Sequence, residues 1–152
     1  MSSPPAISVV ILSWNRREEI ETAIDRLRGV FDGEIVVVDQ GSTDGSAEYL
    51  AGRNDIQLVT LSENVGVAAG RNIGNERATG DIVVSLDSDA ALAPAFDVAA
   101  LGERFSASPD LAAVAFRIFD ASETQEEWPH PIPHGEAAHP FPSTRFHGAG
   151  HA

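Results

Sequence analysis

Short unbroken apolar runs alternate along this chain with stretches in which apolar residues recur every three or four positions. "ISVVILS" (Ile7–Ser13), "EIVVVD" (Glu34–Asp39), "IQLVTL" and "DIVVSLD" are of strand length and hold β-branched residues, which predicts four strands, the first two buried. "LAAVAFRIF" reads as a fifth. Between the first two runs, Ile20, Ile24, Leu27 and Phe31 share one helical face. Asn15, with Glu18 three residues on, has the form of a capping box for that helix. "GSTDGS" is a turn entering a short helix that reaches Leu50. Beyond Asn64, "ENVGVAAGRNIGNERATG" is expected to be helical despite its glycines, with Val67, Gly70, Gly74 and Ala78 as a small-residue face toward the sheet. Pro94 to Ser106 is expected to supply another helix. Strands apolar on both faces, alternating with helices, make an α/β fold: a mostly parallel sheet flanked by helices.

The pattern stops after Asp120. Trp128 to Pro142 holds five of the nine prolines, and all five histidines lie from His130 onward. Prolines this dense exclude a long helix or an inner strand. Residues 121–152 are therefore expected to be a loop or arm over a domain formed by residues 1–120. A chain of 152 residues with 43% hydrophobic content is long enough to bury one core. Its net charge of -13 leaves no basic stripe for nucleic acid and argues against docking on anionic lipid. The absence of cysteine excludes disulfides and thiol chemistry and suits a reducing compartment. "MSSPPA" lacks the form of a signal peptide, and "ISVVIL" is too short to cross a bilayer. A soluble, cytoplasmic protein is expected.

Open parallel sheets bind ligands at the carboxyl ends of their strands. There this sequence puts Trp14-Asn15-Arg16, Asp39-Gln40-Gly41-Ser42, Ser62-Glu63-Asn64 and Asp87-Ser88-Asp89. Dinucleotide binding needs a glycine-rich turn after the first strand, and "SWNRR" has no glycine. The phosphate-loop motif of NTPases is missing as well. Phosphatases with an aspartate nucleophile carry a D-x-D after their first strand, whereas this one follows the fourth. In an extended chain Asp87 and Asp89 point to the same side. They repel each other there unless something positive lies between them; the plainer alternative is two solvated aspartates in a turn.

In this order and spacing, "SVVILSWNRREEIETAIDRL", "VVVDQGSTDGS", "NVGVAAGRNIGNERATGD" and "VVSLDSDA" resemble the successive N-terminal motifs of family 2 glycosyltransferases, which have the GT-A fold. The resemblance is dense from Ile7 to Pro94 and looser beyond. Leu12-Ser13 stands in place of a common Pro-Thr, and Trp14 in place of the usual tyrosine. Both departures touch the base pocket and leave the choice of base open.

The resemblance implies transfer of a sugar from a nucleotide-sugar (UDP-, dTDP- or GDP-linked) to an acceptor hydroxyl on a carbohydrate, lipid or protein, with inversion. It implies Mn²⁺ or Mg²⁺ at the D-x-D, with Asp89 as metal ligand and Asp87 facing the ribose or sharing the metal. Such hard ions favour one or two carboxylates plus phosphate oxygens. Asp39 would accept a hydrogen bond from uracil, thymine or guanine; otherwise it caps the turn that follows. Trp14 would stack on the base beside Leu12, or else it is a core aromatic. Arg71 would reach the diphosphate, a role that suits a guanidinium, or else pairs with a surface acid. Ser42 and Asp44 look like caps, and Asn64 shapes the loop before its helix.

His130, His134, His139, His147 and His151 read as loop histidines, although "FHGAGHA" resembles the family's acceptor-side segment and keeps His147 and His151 as weaker ligand candidates. In this family the base follows that segment, so it is expected beyond Ala152; Glu126 and Glu127 carry no mark of one. The chain is thus expected to be the nucleotide-sugar half of a longer transferase, peripheral at the membrane in its full length. Apolar surface left uncovered near the fifth strand leads to an expectation of self-association or of cover by the proline-rich arm. Two other classes stay open: a non-catalytic nucleotide-binding or regulatory module, and a nucleotidyltransferase, which would want a glycine-rich loop where "SWNRR" stands.

Overall fold

A computed structural model of the chain describes residues 5–93, 96–114 and 116. The chain divides into two compact units, Met1–Ser108 and Pro109–Ala152. The first is built in the order β1 (Ile7–Ser13), α1 (Arg17–Arg28), β2 (Glu34–Asp39), α2 (Ser46–Ala51), β3 (Gln57–Thr60), α3 (Val67–Arg77), β4 (Ile82–Leu86) and α4 (Val98–Ala107). All described strand pairs are parallel, and the sheet order is β3-β2-β1-β4. The chain therefore steps outward from β1 to β3 and then crosses back to the other side of β1. Right-handed crossovers put α1 and α2 on one face and α3 on the other. The reversal leaves a crevice outside the carboxyl ends of β1 and β4, the place where ligands bind such sheets.

The core follows from the strands' content. Val9, Val10, Ile11 and Val36 to Val38 are buried, as are Ile20, Ile24 and Leu27 on the predicted face of α1. Phe31, expected on that face, is buried too but lies beyond the helix end at Arg28. Each such side chain contributes roughly 1.5–3 kcal/mol by leaving water. The edge strand β4 alternates instead: Ile82, Val84 and Leu86 are buried while Val83 and Ser85 are exposed. Helix α3 meets β1 and β2 through Gly70 and Gly74, both buried. A Cβ on Gly74 would overlap Val10 Cγ1, and one on Gly70 would stand 3.0 Å from Gln40 Oε1 and 3.3 Å from Leu12 Cδ2. Val67, expected on that face, is exposed at the helix start.

Two sequence expectations are corrected. Asn15 does not cap α1. It sits at φ 52°, in the left-handed region that Asn tolerates better than most residues, and its Oδ1 accepts the Thr43 N–H at 2.7 Å. The N-cap is Arg16, and Asp44 from the next loop takes the Arg17 N–H at 2.9 Å. The expected fifth strand is not seen in its described residues, 111–114 and 116. Apolar and β-branched content makes a strand only where there is a ladder to join. The rest of that segment, the histidines, Glu126, Glu127 and Pro94 lie outside the described residues. Among those residues, no helix is long and apolar enough to cross a membrane.

Behind α1 and α2, Arg53 donates to Asp55 at 2.8 and 2.9 Å and to Asp25 at 2.7 Å. Arg28 reaches the same Asp55 at 3.3 Å and the Gly33 carbonyl at 2.7 Å. The hydrogen bonds from Arg53, opposed by burial and helped by its charge, bring the Asp55 carboxyl from 3.8 down to about 2.

Two outcomes are expected. Gly74→Ala should destabilise the protein by up to about 2 kcal/mol, because overpacking typically costs about 1–3 kcal/mol and better helix propensity returns about 1; the urea midpoint measures it. Asp55 has its folded pKa below the unfolded one, so its contribution is present above about pH 4 and lost as pH falls toward about 2. Across that range the melting temperature of the parent should fall more steeply than that of Asp55→Asn.

Candidate functional site

The loops after β1 and β2 are tied together. Ser42 Oγ accepts the Asn15 N–H at 2.9 Å, Asn15 Oδ1 accepts the Thr43 N–H, and Asp44 accepts from Arg17. Asp44 Oδ1 also takes the Ser46 N–H at 3.0 Å and the Ser46 hydroxyl at 2.6 Å. These bonds, the hydroxyl's first, hold the Asp44 carboxyl below its usual range against the opposing effect of burial. Ser42 and Asp44 are thus turn-forming residues, as their positions suggested. Gly41 (φ 73°) lets this loop lie against the next: a Cβ there would stand 3.0 Å from the backbone of Ser62 and Glu63. Asn64 shapes the following turn by accepting the Gly66 N–H at 2.8 Å. Three consecutive strand ends thereby form one braced rim.

Asp39 ends β2 wholly buried. Its Oδ2 accepts the Ser42 N–H at 3.0 Å, while its Oδ1 has no hydrogen-bond partner. Ser13 Oγ, in register with Asp39 across the β1–β2 pair, is buried and unpartnered as well. A buried acceptor left unpaired costs about 1–3 kcal/mol, so it marks a place prepared for a donor. Trp14 stands beyond Ser13 and is 51% exposed, which removes the core-aromatic reading. Leu12 is not brought to Asp39. By strand alternation it faces α3, where it approaches Gly70, and Asp39 faces the other side.

The D-x-D is not extended. β4 ends at Leu86, and the Ala90 N–H returns to the Asp87 carbonyl at 3.0 Å, which closes a turn. Its two carboxylates therefore diverge to different partners. Asp87 accepts from Arg71 of α3 at 2.6 Å, with 24% and 19% of the two side chains exposed. Asp89 accepts from Arg16 of the β1 loop at 2.7 Å, with 58% and 44% exposed. The first pair is half-buried and held; the second lies in solvent, where such pairs contribute only about 0–1 kcal/mol. Arg16 was not singled out from the sequence. Its signal is a cation after β1 facing an acid after β4, legible only once those strands are known to be neighbours.

Among the described residues, no three acidic, histidine or cysteine side chains converge to hold a metal. Two carboxylates suit a hard divalent cation that completes its shell with phosphate oxygens and water. A cavity of about 530 Å³ lies at the opposite, amino end of the sheet, lined by Ile7, Ser8, Phe31, Glu34 and Thr79 among others. Of the two acids in its lining, Asp32 and Glu34, the second is already satisfied. Glu34 accepts from Ser8 Oγ at 2.5 Å, Gln57 Nε2 at 2.5 Å, Thr79 N at 2.7 Å and Thr79 Oγ1 at 2.9 Å. Burial pushes its carboxyl up, but the hydrogen bonds from Ser8, Thr79 and the Gly80 backbone outweigh that and hold it below its usual range. Large as this cavity is, the unsatisfied and exchangeable polar groups gather at the carboxyl end.

The family model for glycosyl transferase family 2 matches residues 8–151. The chain belongs to that family. Among curated relatives of this family 2 chain, a teichuronic acid biosynthesis glycosyltransferase of Bacillus subtilis, TuaG, is 39% identical over 94 residues, 56% of this chain and 36% of its own length. An undecaprenyl-phosphate 4-deoxy-4-formamido-L-arabinose transferase of Aeromonas hydrophila is 33% identical over 96 residues, 55% of this chain and 28% of its own. The match thus spans about a third of the length of these relatives. Among solved structures, the mannosyltransferase PcManGT of Pyrobaculum calidifontis, in complex with GDP-Man and Mn²⁺, has a TM-score of 0.53 at 31% identity. It covers 61% of this chain and 30% of its own. TarS of S. aureus has a TM-score of 0.50 at 28% identity, with 55% and 16% covered. The fold of this family 2 chain is GT-A, a parallel four-stranded sheet flanked by helices.

Proposed function

We propose that this chain carries the donor-binding part of an inverting glycosyltransferase. In this reading a sugar passes from a nucleoside-diphosphate donor to an acceptor hydroxyl, with Mn²⁺ or Mg²⁺ at the Asp87-Ser88-Asp89 turn. The observation that carries it is the crevice between β1 and β4, where each carboxylate of the turn after β4 is paired with a guanidinium, one from the β1 loop and one from α3. Family membership and the likeness to PcManGT, solved with GDP-Man and Mn²⁺, support the same reading.

Each residue has a part that its surroundings suit. Asp39 Oδ1 is a charged acceptor without a donor, matched by the ring N–H of uracil, thymine or guanine; cytosine and adenine offer none. The exposed Trp14 ring offers a flat face to the base. Leu12 belongs to the support under α3 rather than to the base contact. Arg71, held in place by Asp87, presents a guanidinium to the diphosphate. Asp89, whose own pair is exposed and weak, is the carboxylate best able to take a cation. When bound, a divalent ion neutralises the charge that builds on the departing diphosphate. The proton of the acceptor hydroxyl goes to a base outside the described residues. The nucleotide-sugar part is assigned to residues 1–120 and the approach to the acceptor side to residues 121–152, at a cytoplasmic location.

Calorimetry with nucleoside diphosphates, with and without Mn²⁺, tests this. Asp89→Ala should abolish the tightening caused by Mn²⁺ while leaving the melting temperature near that of the parent. Tightening that survives the substitution would remove the metal from this turn. Asp39→Ala should weaken uridine, thymidine or guanosine diphosphate by roughly 1.5–3 kcal/mol, the range for hydrogen bonds to charged groups, and cytidine diphosphate much less. Equal losses across the bases would make Asp39 a support for its loop only. Tight binding with no metal dependence in the parent would favour a non-catalytic nucleotide-binding module.

A further inference from the structure

We propose that Arg16 is a donor-contacting residue with two alternative partners: Asp89, as seen here, and the diphosphate of the donor. The inference deepens the reading above and rests on a divalent cation binding at Asp89.

Three observations lead to it. Arg16 and Asp89 come from the two loops that flank the strand-order reversal, so their 2.7 Å ion pair spans the crevice itself. The pair lies in solvent, at 44% and 58% exposure, whereas Arg71–Asp87 is half-buried. Parting Arg16 from Asp89 therefore costs little, and parting Arg71 from Asp87 costs more. Finally, the backbone beneath Arg16 is fixed: Asn15 is bonded on both sides to the β2 loop, and the Arg17 N–H to Asp44. The guanidinium can change partners while its loop stays in place.

Charge decides which partner it takes. A carboxylate that coordinates a divalent cation no longer needs a guanidinium, and Arg16 beside that cation would be repelled by it. A diphosphate arriving with the cation supplies new oxygens within the same crevice, and a planar guanidinium can meet two of them at once. Arg16 thus competes with the metal when no diphosphate is present and cooperates with it when one is. A residue that merely supports the fold would not reverse its effect in this way.

The test uses the full 152-residue chain. Binding of Mn²⁺ alone is followed by the electron paramagnetic resonance signal of the free ion. Binding of uridine and guanosine diphosphates at saturating Mn²⁺ is followed by calorimetry. Arg16→Gln should tighten Mn²⁺ alone by about two- to fivefold, the scale of an exposed pair. It should weaken the metal-bound diphosphates by about tenfold, as loss of a charged hydrogen bond predicts. Arg16→Lys should restore only part of the diphosphate affinity, since it keeps the charge and loses the fork. Thermal melts of both variants show that they are folded. If Arg16→Gln leaves both affinities unchanged, or moves both in the same direction, while Asp89→Asn removes Mn²⁺ binding, Arg16 is a surface ion pair and this proposal alone fails. If Asp89→Asn leaves Mn²⁺ binding as it was, the metal reading fails and the exchange fails with it.

Discussion

The close approach of α3 to the sheet governs how the rest of this site is arranged. The helix axis can come that near β1 only because Gly74 places no carbon where Val10 already stands, with Gly70 doing the same beside Leu12 and Gln40. The depth and rotation of α3 are thereby set, and with them the position of Arg71 one residue past Gly70. Arg71 then reaches the Asp87 carboxylate at the end of β4. A helix held a side chain's thickness farther out would carry its arginine away from the strand ends. Packing between apolar groups in the core thus fixes an ionic contact at the surface.

The electrostatics of the crevice are unusual for so acidic a chain. With a net charge of -13, the molecule as a whole repels a diphosphate, and any anion must be met by local cations. The chain contains no lysine, so each of its 10 basic residues is an arginine. Among the described residues, two of them reach the D-x-D turn, one from each side of the strand-order reversal. Their unequal exposure gives the two aspartates different characters: Asp87 is part of the frame, and Asp89 is available.

The fold was largely legible in the sequence because β1 and β2, buried on both faces, announce themselves as continuous apolar runs. Four strands and four helices lie where these runs and the helical spacing put them, and α3 formed despite its glycines because the sheet needs them. The family and its fold were legible from four motifs in order. What the sequence hid was set by contacts between distant segments. Asn15 has the form of a cap, but a neighbouring loop claims its side chain and turns its backbone left-handed. The D-x-D reads as a continuation of β4, but it closes a turn, and its aspartates part company. Leu12 and Asp39 look like neighbours at two strand ends, yet alternation sends them to opposite faces. Arg16 has no local signature at all.

The hydrogen bonds between the β1 and β2 loops make those two segments a single mechanical part. Trp14 belongs to one and Asp39 to the other, so the two groups proposed to face a base are carried on one rigid bracket. Evolution or an engineer seeking a new base preference would therefore gain little by transplanting either loop alone. Asn15 would lose the hydroxyl and amide it binds, and Asp44 would lose the helix start it caps. The natural unit of exchange is the pair of loops together, moved as one cassette with the tie between them intact.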